Sequence, residues 1–432
     1  MHPALSILVT LTCLGVIILL AAWGVKTGKI SGELARKIVH VGMGLICMSF
    51  PWLFQSVLAV QLLAAFAIIT LFAIRVTKLR RTLGTALFSV ERLSIGELLF
   101  PLAVAWLFTL GWEQPILYCI SLLLLTLADT AGALAGSKFG KVTYQTTAAT
   151  KSCEGSIAFF ITAFLCISLP LYYFTGFSLE LIVFLALSIS LFSMAVEGAS
   201  GHGLDNLLIP IGSFLLLDYY TGISDHLLLT RSLVLLALLG LLVLTRRMHT
   251  MDGGATLTSM LFGFAAFTLG GMPCLLAALL LFLRHIMTQK FMDEKHVITH
   301  PLNSILAIAT PSLFWLTLGR GEIIDYTTAQ FAFISTLALI ISMLHTGTQK
   351  HLHRDSPSLS KALILCIAIL ATTLLIKTPL VYTLPTILLA VPAARFYFYW
   401  AEASNSHHPK NWLKLGFLAM LGSSTALLPF LS

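Results

Sequence analysis

Charge is the first thing this chain lacks. Only 10% of its 432 residues are Asp, Glu, Lys or Arg, against 58% hydrophobic, and the mean hydropathy is +0.94. Soluble domains carry about 25% charged residues, so a soluble enzyme is excluded, and no nucleic-acid partner is expected. The seven cysteines (Cys13, Cys47, Cys119, Cys153, Cys166, Cys274, Cys366) include no C-x-x-C pair, which argues against a disulfide framework or a zinc site. His351 with His353, and His407 with His408, sit in polar connectors without neighbouring cysteines or carboxylates in a ligand pattern. No Walker loop, G-x-S-x-G elbow or H-E-x-x-H motif occurs. The first 23 residues have neither a basic n-region nor a small-residue cleavage pattern, so they are expected to be a retained first span.

What is present is a succession of apolar runs. Sixteen are read, near 5–22, 38–54, 56–74, 96–110, 115–137, 156–174, 180–198, 206–219, 227–245, 254–270, 272–288, 301–318, 328–345, 361–376, 380–398 and 412–430. Hydrocarbon offers the backbone no partner but the helix itself. The fold class is therefore an all-α polytopic membrane bundle of about 14–16 transmembrane segments, some short or broken. With residue 1 outside and every segment crossing, all but three of the 26 lysines and arginines fall in inward connectors, the exceptions being Arg231, Arg320 and Lys377. Acidic residues share no such bias. The expected location is a bacterial inner membrane, with the N-terminus outside and the polar clusters at the cytoplasmic face. A break near Thr245–Gly254 divides the chain into 1–245, where polar residues intrude on the spans, and 246–432, where they are almost confined to connectors.

Four clusters lie in the first half. In Glu33-Leu34-Ala35-Arg36-Lys37-Ile38-Val39-His40-Val41-Gly42-Met43-Gly44, helical spacing puts Arg36, His40 and Gly44 on one face. That suits a phosphate, or a positive-inside anchor with a snorkelling histidine. In Gly96-Glu97-Leu98-Leu99-Phe100-Pro101, the carboxylate opens a span, where the helix dipole favours it. The third cluster places Asp129 inside an apolar run. A charge at bilayer depth costs about 2.5–3.5 kcal/mol, so it is a site candidate by default. Gly132, Gly136 and Gly140 share its face, either to let another helix approach or to leave room for a ligand. Lys138, Lys141 and Lys151 follow, then Ser152, Glu154 and Gly155 at the next helix start, where N–H groups favour anions. The fourth cluster runs from Glu197 through a glycine-rich turn to Asp205 and Asn206. Glu197 is a second carboxylate at membrane depth, and Asp205 or Asn206 could serve only as a helix cap. Carboxylates with lysines are what phosphoryl transfer needs: oxygen ligands for Mg²⁺ and cations for a triphosphate.

In this order the pieces resemble the polyprenol kinase family, which includes phytol kinase and dolichol kinase. They are R-K-x-x-H-x-x-x-G (Arg36 to Gly44), G-E-x-x-F-P-L-A (Gly96 to Ala103), A-D-x-x-x-x-x-x-G-x-x-x-G-K (Ala128 to Lys141), K-S-x-E-G-S (Lys151 to Ser156) and E-(x)7-D-N-L-x-x-P (Glu197 to Pro210). The resemblance covers about residues 30–245 and implies CTP-dependent phosphorylation of a long-chain isoprenoid alcohol at the cytoplasmic face of the membrane, with Mg²⁺. It implies Asp129, Lys151 and Glu197 as catalytic, with Asp129 and Glu197 on the metal. Arg36, Lys37, His40, Lys138, Lys141, Ser152, Glu154, Gly155, Asp205 and Asn206 are the implied nucleotide or phosphate contacts. Two other functions remain open: a cytidylyltransferase making a CDP-lipid, and a transporter binding an anion at broken helices. In the second half, Gly254 to Gly271 more faintly resembles the opening of the membrane family that includes phytyl-phosphate kinase. That family's later acidic motif has no counterpart here, since no Asp or Glu lies between Ala329 and His345.

Overall fold

A computed structural model describes residues 3–76, 95–146, 149–290, 299–351, 355–376, 380–400 and 409–424. Lys78, Arg80, Arg81, Arg92, Ser94, Lys295, His353, Arg354, Lys377, His407 and His408 lie outside the described residues. Within the described residues each of the sixteen apolar runs coincides with helix, and ten described helices are long and apolar enough to cross a membrane. The chain divides into two compact units, Met1–Leu233 and Val234–Ser432, so that the division runs through a helix rather than through the connector after it.

The first unit begins with α1 (Pro3–Lys26), α2 (Gly32–Met48), the short α3 (Phe50–Leu53), α4 (Val57–Val76) and α5 (Gly96–Gly111). Next come α6 (Pro115–Leu123), one π-turn at Leu124–Ala128, and α7 (Asp129–Phe139). A two-stranded hairpin, β1 (Thr143–Gln145) with β2 (Thr150–Ser152), precedes α8 (Cys153–Phe174), α9 (Leu179–Ala199) and α10 (Asp205–Thr221), and the unit ends within α11 (Asp225–Thr245). The hairpin is the one departure from helix that the motifs did not foretell; they read as a basic loop. Helix starts follow local capping chemistry. Ser31, Ser152 and Ser178 each accept a backbone N–H three residues on, as N-cap serines do.

The ambiguity of the glycine face after Asp129 resolves to packing. A Cβ on Gly132 would lie 3.2 Å from Gly155 O, and one on Gly155 would lie 2.9 Å from Gly132 O. Helices α7 and α8 therefore meet backbone to backbone, as small-residue seams in membranes do. Gly136 and Gly140 extend the seam over Ser152.

The second unit holds α12 (Gly253–Lys290), α13 (Leu302–Arg320), α14 (Tyr326–His351), α15 (Leu359–Leu370), α16 (Leu384–Trp400) and α17 (Pro409–Ser424). Helix α14 is its axis, buried along nearly its whole length and packed by α12, α13, α15, α16 and α17. Its polar groups pair across helices: Ser342 Oγ donates to Ala362 O (3.0 Å) and Thr346 Oγ1 to Ala394 O (2.9 Å). Helix α12 breaks at Gly271, whose φ of 72° is open to glycine and costly for other residues. The carbonyls released there are taken up by side chains. Gln330 Nε2 donates to Gly270 O (2.8 Å), and Arg320 donates to Leu269 O and Thr268 O (3.2 and 3.1 Å). Two of the three basic residues outside the charge bias thus have structural partners, since Arg231 lies over the rings of Tyr219 and Tyr220.

Candidate active site

The site is built around the π-turn. The Asp129 N–H donates to Leu124 O, five residues back, and not to Leu125 O as an α-turn would require. That leaves the Leu125 carbonyl without its usual partner inside the bundle, where an unmet polar group costs about 1–3 kcal/mol. Helix α2 supplies the missing donor: His40 Nε2 lies 2.9 Å from Leu125 O. One turn earlier on α2, Lys37 Nζ donates to Asp129 Oδ2 at 3.0 Å, and His40 Nε2 is 3.8 Å from the same oxygen. One turn later, Gly44 lets the helices touch, because a Cβ there would come within 2.6 Å of Thr126 Cγ2. The spacing of Lys37, His40 and Gly44 is the footprint of α2 on the π-turn. Such turns inside α-helices often mark functional sites.

Lys37 and His40, expected on phosphate, are therefore engaged with Asp129 and the backbone. The Lys37 and Asp129 side chains are only 6% and 16% exposed. Phe100, from the second motif, sets its ring edge-on to His40 at 5.8 Å. Glu97 of that motif pairs with Arg75 at 2.9 Å.

A second ion pair comes from the hairpin. Its antiparallel register sets Lys151 opposite Tyr144. From there Lys151 Nζ donates to Glu197 Oε1 (2.8 Å) and to the Glu197 carbonyl oxygen. Tyr144 Oη bonds Ser156 Oγ at 2.8 Å and lies within electrostatic reach of Glu197; burial pushes its phenol up to about 12, so it stays protonated. Tyr144 was not among the expected site residues. A tyrosine in a short polar loop gives no signal until the hairpin turns it inward.

The turn after Glu197 reverses sharply, with His202 and Gly203 at φ 58° and 89°. Its His202 carbonyl accepts the Ile95 N–H (2.9 Å), tying it to the start of α5. The reversal brings Asp205 within electrostatic reach of Asp129, Lys151 and Lys37. Asp205 Oδ1 accepts its neighbour's Asn206 N–H at 3.1 Å. Arg36 bonds Glu33 at 2.6 Å on the half-exposed rim, also within reach of Asp129 and Asp205.

Other expected contacts are differently employed. Ser152 Oγ accepts the Gly155 N–H at 3.1 Å as a helix cap, and Gly155 is covered by α7. Both hold the α7–α8 seam instead of facing a ligand. Glu154 takes the Val142 N–H (3.1 Å) and steadies the hairpin. Lys138 and Lys141 are exposed, Lys138 over the Phe139 ring. Among the described residues no three His, Cys, Asp or Glu side chains converge as a metal site. The carboxylate oxygens are of the kind a hard cation takes, while the lysine ammonium on each of Asp129 and Glu197 opposes one.

What gathers is thus two lysine–carboxylate pairs, a further carboxylate, a buried phenol and a rim arginine. No family model and no solved structure matches the chain. Over 209 residues, however, it is 32% identical to the phytol kinase of Synechocystis sp., an alignment covering 48% of this chain and 87% of that protein. The chain belongs to the phytol kinase family. For this phytol kinase family member, the resemblance drawn from the five motifs and the relationship by overall identity agree. The matched length is close to that of the first unit.

Proposed function

We propose that the protein is a CTP-dependent kinase that phosphorylates a long-chain isoprenoid alcohol at the cytoplasmic face of the membrane. The observation that supports this most directly is the pairing of two lysines with two intramembrane carboxylates, Lys37–Asp129 and Lys151–Glu197, beside Asp205. Ionisable groups are costly at that depth, and carboxylates with ammonium groups are the chemistry of phosphoryl transfer. Family membership points the same way.

In the proposed reaction the prenyl hydroxyl oxygen bonds to the γ-phosphorus of the nucleotide. The bond to the β-bridging oxygen breaks, and the diphosphate leaves. Asp129 takes the hydroxyl proton or orients the hydroxyl. Lys151, with Lys138, Lys141 and Arg36 at the rim, holds phosphate oxygens. Glu197 and Asp205 keep Lys151 in place, and Asn206 offers its amide. A Mg²⁺ ion held by Asp129 and Glu197 would neutralise charge developing on the phosphates. Lys37 and His40 act chiefly by fixing Asp129 and the Leu125 carbonyl.

The test is transfer from γ-labelled CTP, by full-length protein in nanodiscs, to phytol, geranylgeraniol, undecaprenol and diacylglycerol. Wild type is expected to give a lipid monophosphate and CDP from a prenyl alcohol. Asp129→Asn and Lys151→Ala should lose about 100-fold or more of the rate. Release of pyrophosphate with a CDP-lipid would identify a cytidylyltransferase instead. Anion flux without nucleotide would identify a transporter, and normal kinase turnover in both variants would remove these residues from the reaction.

A further inference from the structure

The second unit contains a group of buried donors that, among the described residues, lacks an acceptor. Arg284, on the last turns of α12, gives Nη2 to Thr348 Oγ1 at 3.4 Å, while its Nε is closed off without any hydrogen-bond partner. The next residue, His285, has a buried, unpartnered Nε2, and His249 brings two enclosed ring nitrogens, with the Leu242 backbone as its one neighbouring acceptor among the described residues. Arg284 and His249 lie close enough for their charges to act on His285. The His285 ring stands edge-on to His300 at 4.7 Å, and His300 is 6.0 Å from the Trp412 ring, whose buried Nε1 also lacks an acceptor. Among the described residues, no acidic side chain acts on Arg284. Asp252, which precedes α12 and gives its N–H to His300 O, accepts the Ala255 N–H at 2.7 Å.

A guanidinium taken out of water without a counter-charge is strongly unfavourable. Here it adjoins His285, which His249 also reaches and which leads through the His300 ring to Trp412. The missing component is a compact group that offers only acceptors and carries negative charge. We propose that this cluster is a second ligand site, for the phosphate group of a phosphate-bearing molecule, with Arg284 as its principal contact and His285, His249 and the Trp412 N–H as further donors. Arginine's planar fork suits a tetrahedral oxyanion. Two sources share that chemistry, a lipid head group and free phosphate. Leu283 and Met287 flank Arg284 on α12 and are 50% and 53% exposed, giving an acyl or prenyl chain an apolar track to the guanidinium. They favour the lipid.

The experiment uses the full chain in phosphatidylcholine nanodiscs, titrated with phosphatidate in the bilayer or with inorganic phosphate in the buffer. Binding is read by native mass spectrometry and by the shift in melting temperature. Wild type should hold a phosphatidate molecule that Arg284→Gln loses, with affinity falling about tenfold or more. His285→Ala, which keeps the charge, should weaken it by a smaller factor. Arg284→Gln removes an unpaired buried charge, so the empty variant should melt no lower than wild type. A difference between wild type and Arg284→Gln seen with inorganic phosphate alone would assign the site to free phosphate. Equal binding of both probes by both proteins would overturn the proposal.

Discussion

The two units handle polarity in the membrane in opposite ways. In the first, charges come as neutralised pairs between helices that are distant in sequence: Lys37 of α2 with Asp129 of α7, and Lys151 of the hairpin with Glu197 of α9. In the second, the axis helix α14 joins its neighbours chiefly through hydroxyls and amides, with Ser342, Thr346 and Gln330 on backbone carbonyls. Hydroxyl and amide bonds of this kind add modest stability, about 0.6 kcal/mol on average and at most about 2. Pairs of full charges bring a desolvation penalty that good geometry only partly offsets. Stability alone would favour the second arrangement. Retention of the first, at the expense of burying four ionisable groups, is what a reactive site requires.

That contrast can be broken most forcefully by removing one partner of a pair. Lys37→Met takes away the one ammonium hydrogen-bonded to Asp129 among the described residues, and should destabilise the protein by about 3–5 kcal/mol in denaturant unfolding in detergent. Adding Asp129→Leu should restore most of that loss while leaving kinase activity absent. A double variant no more stable than the single would mean that Lys37 acts through packing. Smaller, and also confined to the first unit, is the effect of filling the α2 footprint. Gly44→Ala drives a methyl into Thr126 and should cost about 1–3 kcal/mol. The accompanying shift of α2 should lower turnover with little change in nucleotide KM. Smallest is the matching test in the second unit. Gln330→Leu frees Gly270 O at the α12 break and should cost about 1 kcal/mol, with kinase turnover unchanged. If that variant lost turnover as well, the division of labour between the units would be wrong.

Much of the fold was legible because its two strongest signals are local. Apolar run length marked the helices, and Gly270-Gly271 marked the place where one of them breaks. Membership of the polar cluster was legible wherever burial makes a residue type expensive: Asp129 and Glu197 stand out in any hydropathy plot, and the fold brings both into it. Pairing was not legible. The bond from Lys37 to Asp129 crosses 92 positions, and nothing in either neighbourhood names the other. Lys37 and His40 looked like phosphate ligands because a cation one turn from an imidazole reads the same whether it faces an anion in solution or a carboxylate on another helix. Gly155 and Ser152 looked like an anion-binding helix start for a similar reason. Their N–H and hydroxyl groups are suitable, but α7 already covers them. The π-turn has no sequence signature at all, so neither the Leu125 carbonyl nor the role of His40 could be anticipated. Tyr144 depended on a hairpin that six extended residues barely announce.

The π-turn also gives one membrane span two angular frames. Each residue advances an α-helix by about 100°, and a π-turn inserts roughly one residue without lengthening the ladder of hydrogen bonds by one. Pro115–Leu123 and Asp129–Phe139 are therefore out of phase with each other by nearly that angle. A single helical wheel drawn through the whole span would assign Asp129 to the wrong side. The segment before the turn can hold its apolar packing unchanged while the segment after it aims a carboxylate at α2 and a glycine seam at α8. Packing and chemistry on this span are indexed separately, and the joint between the two indices is the carbonyl that His40 closes.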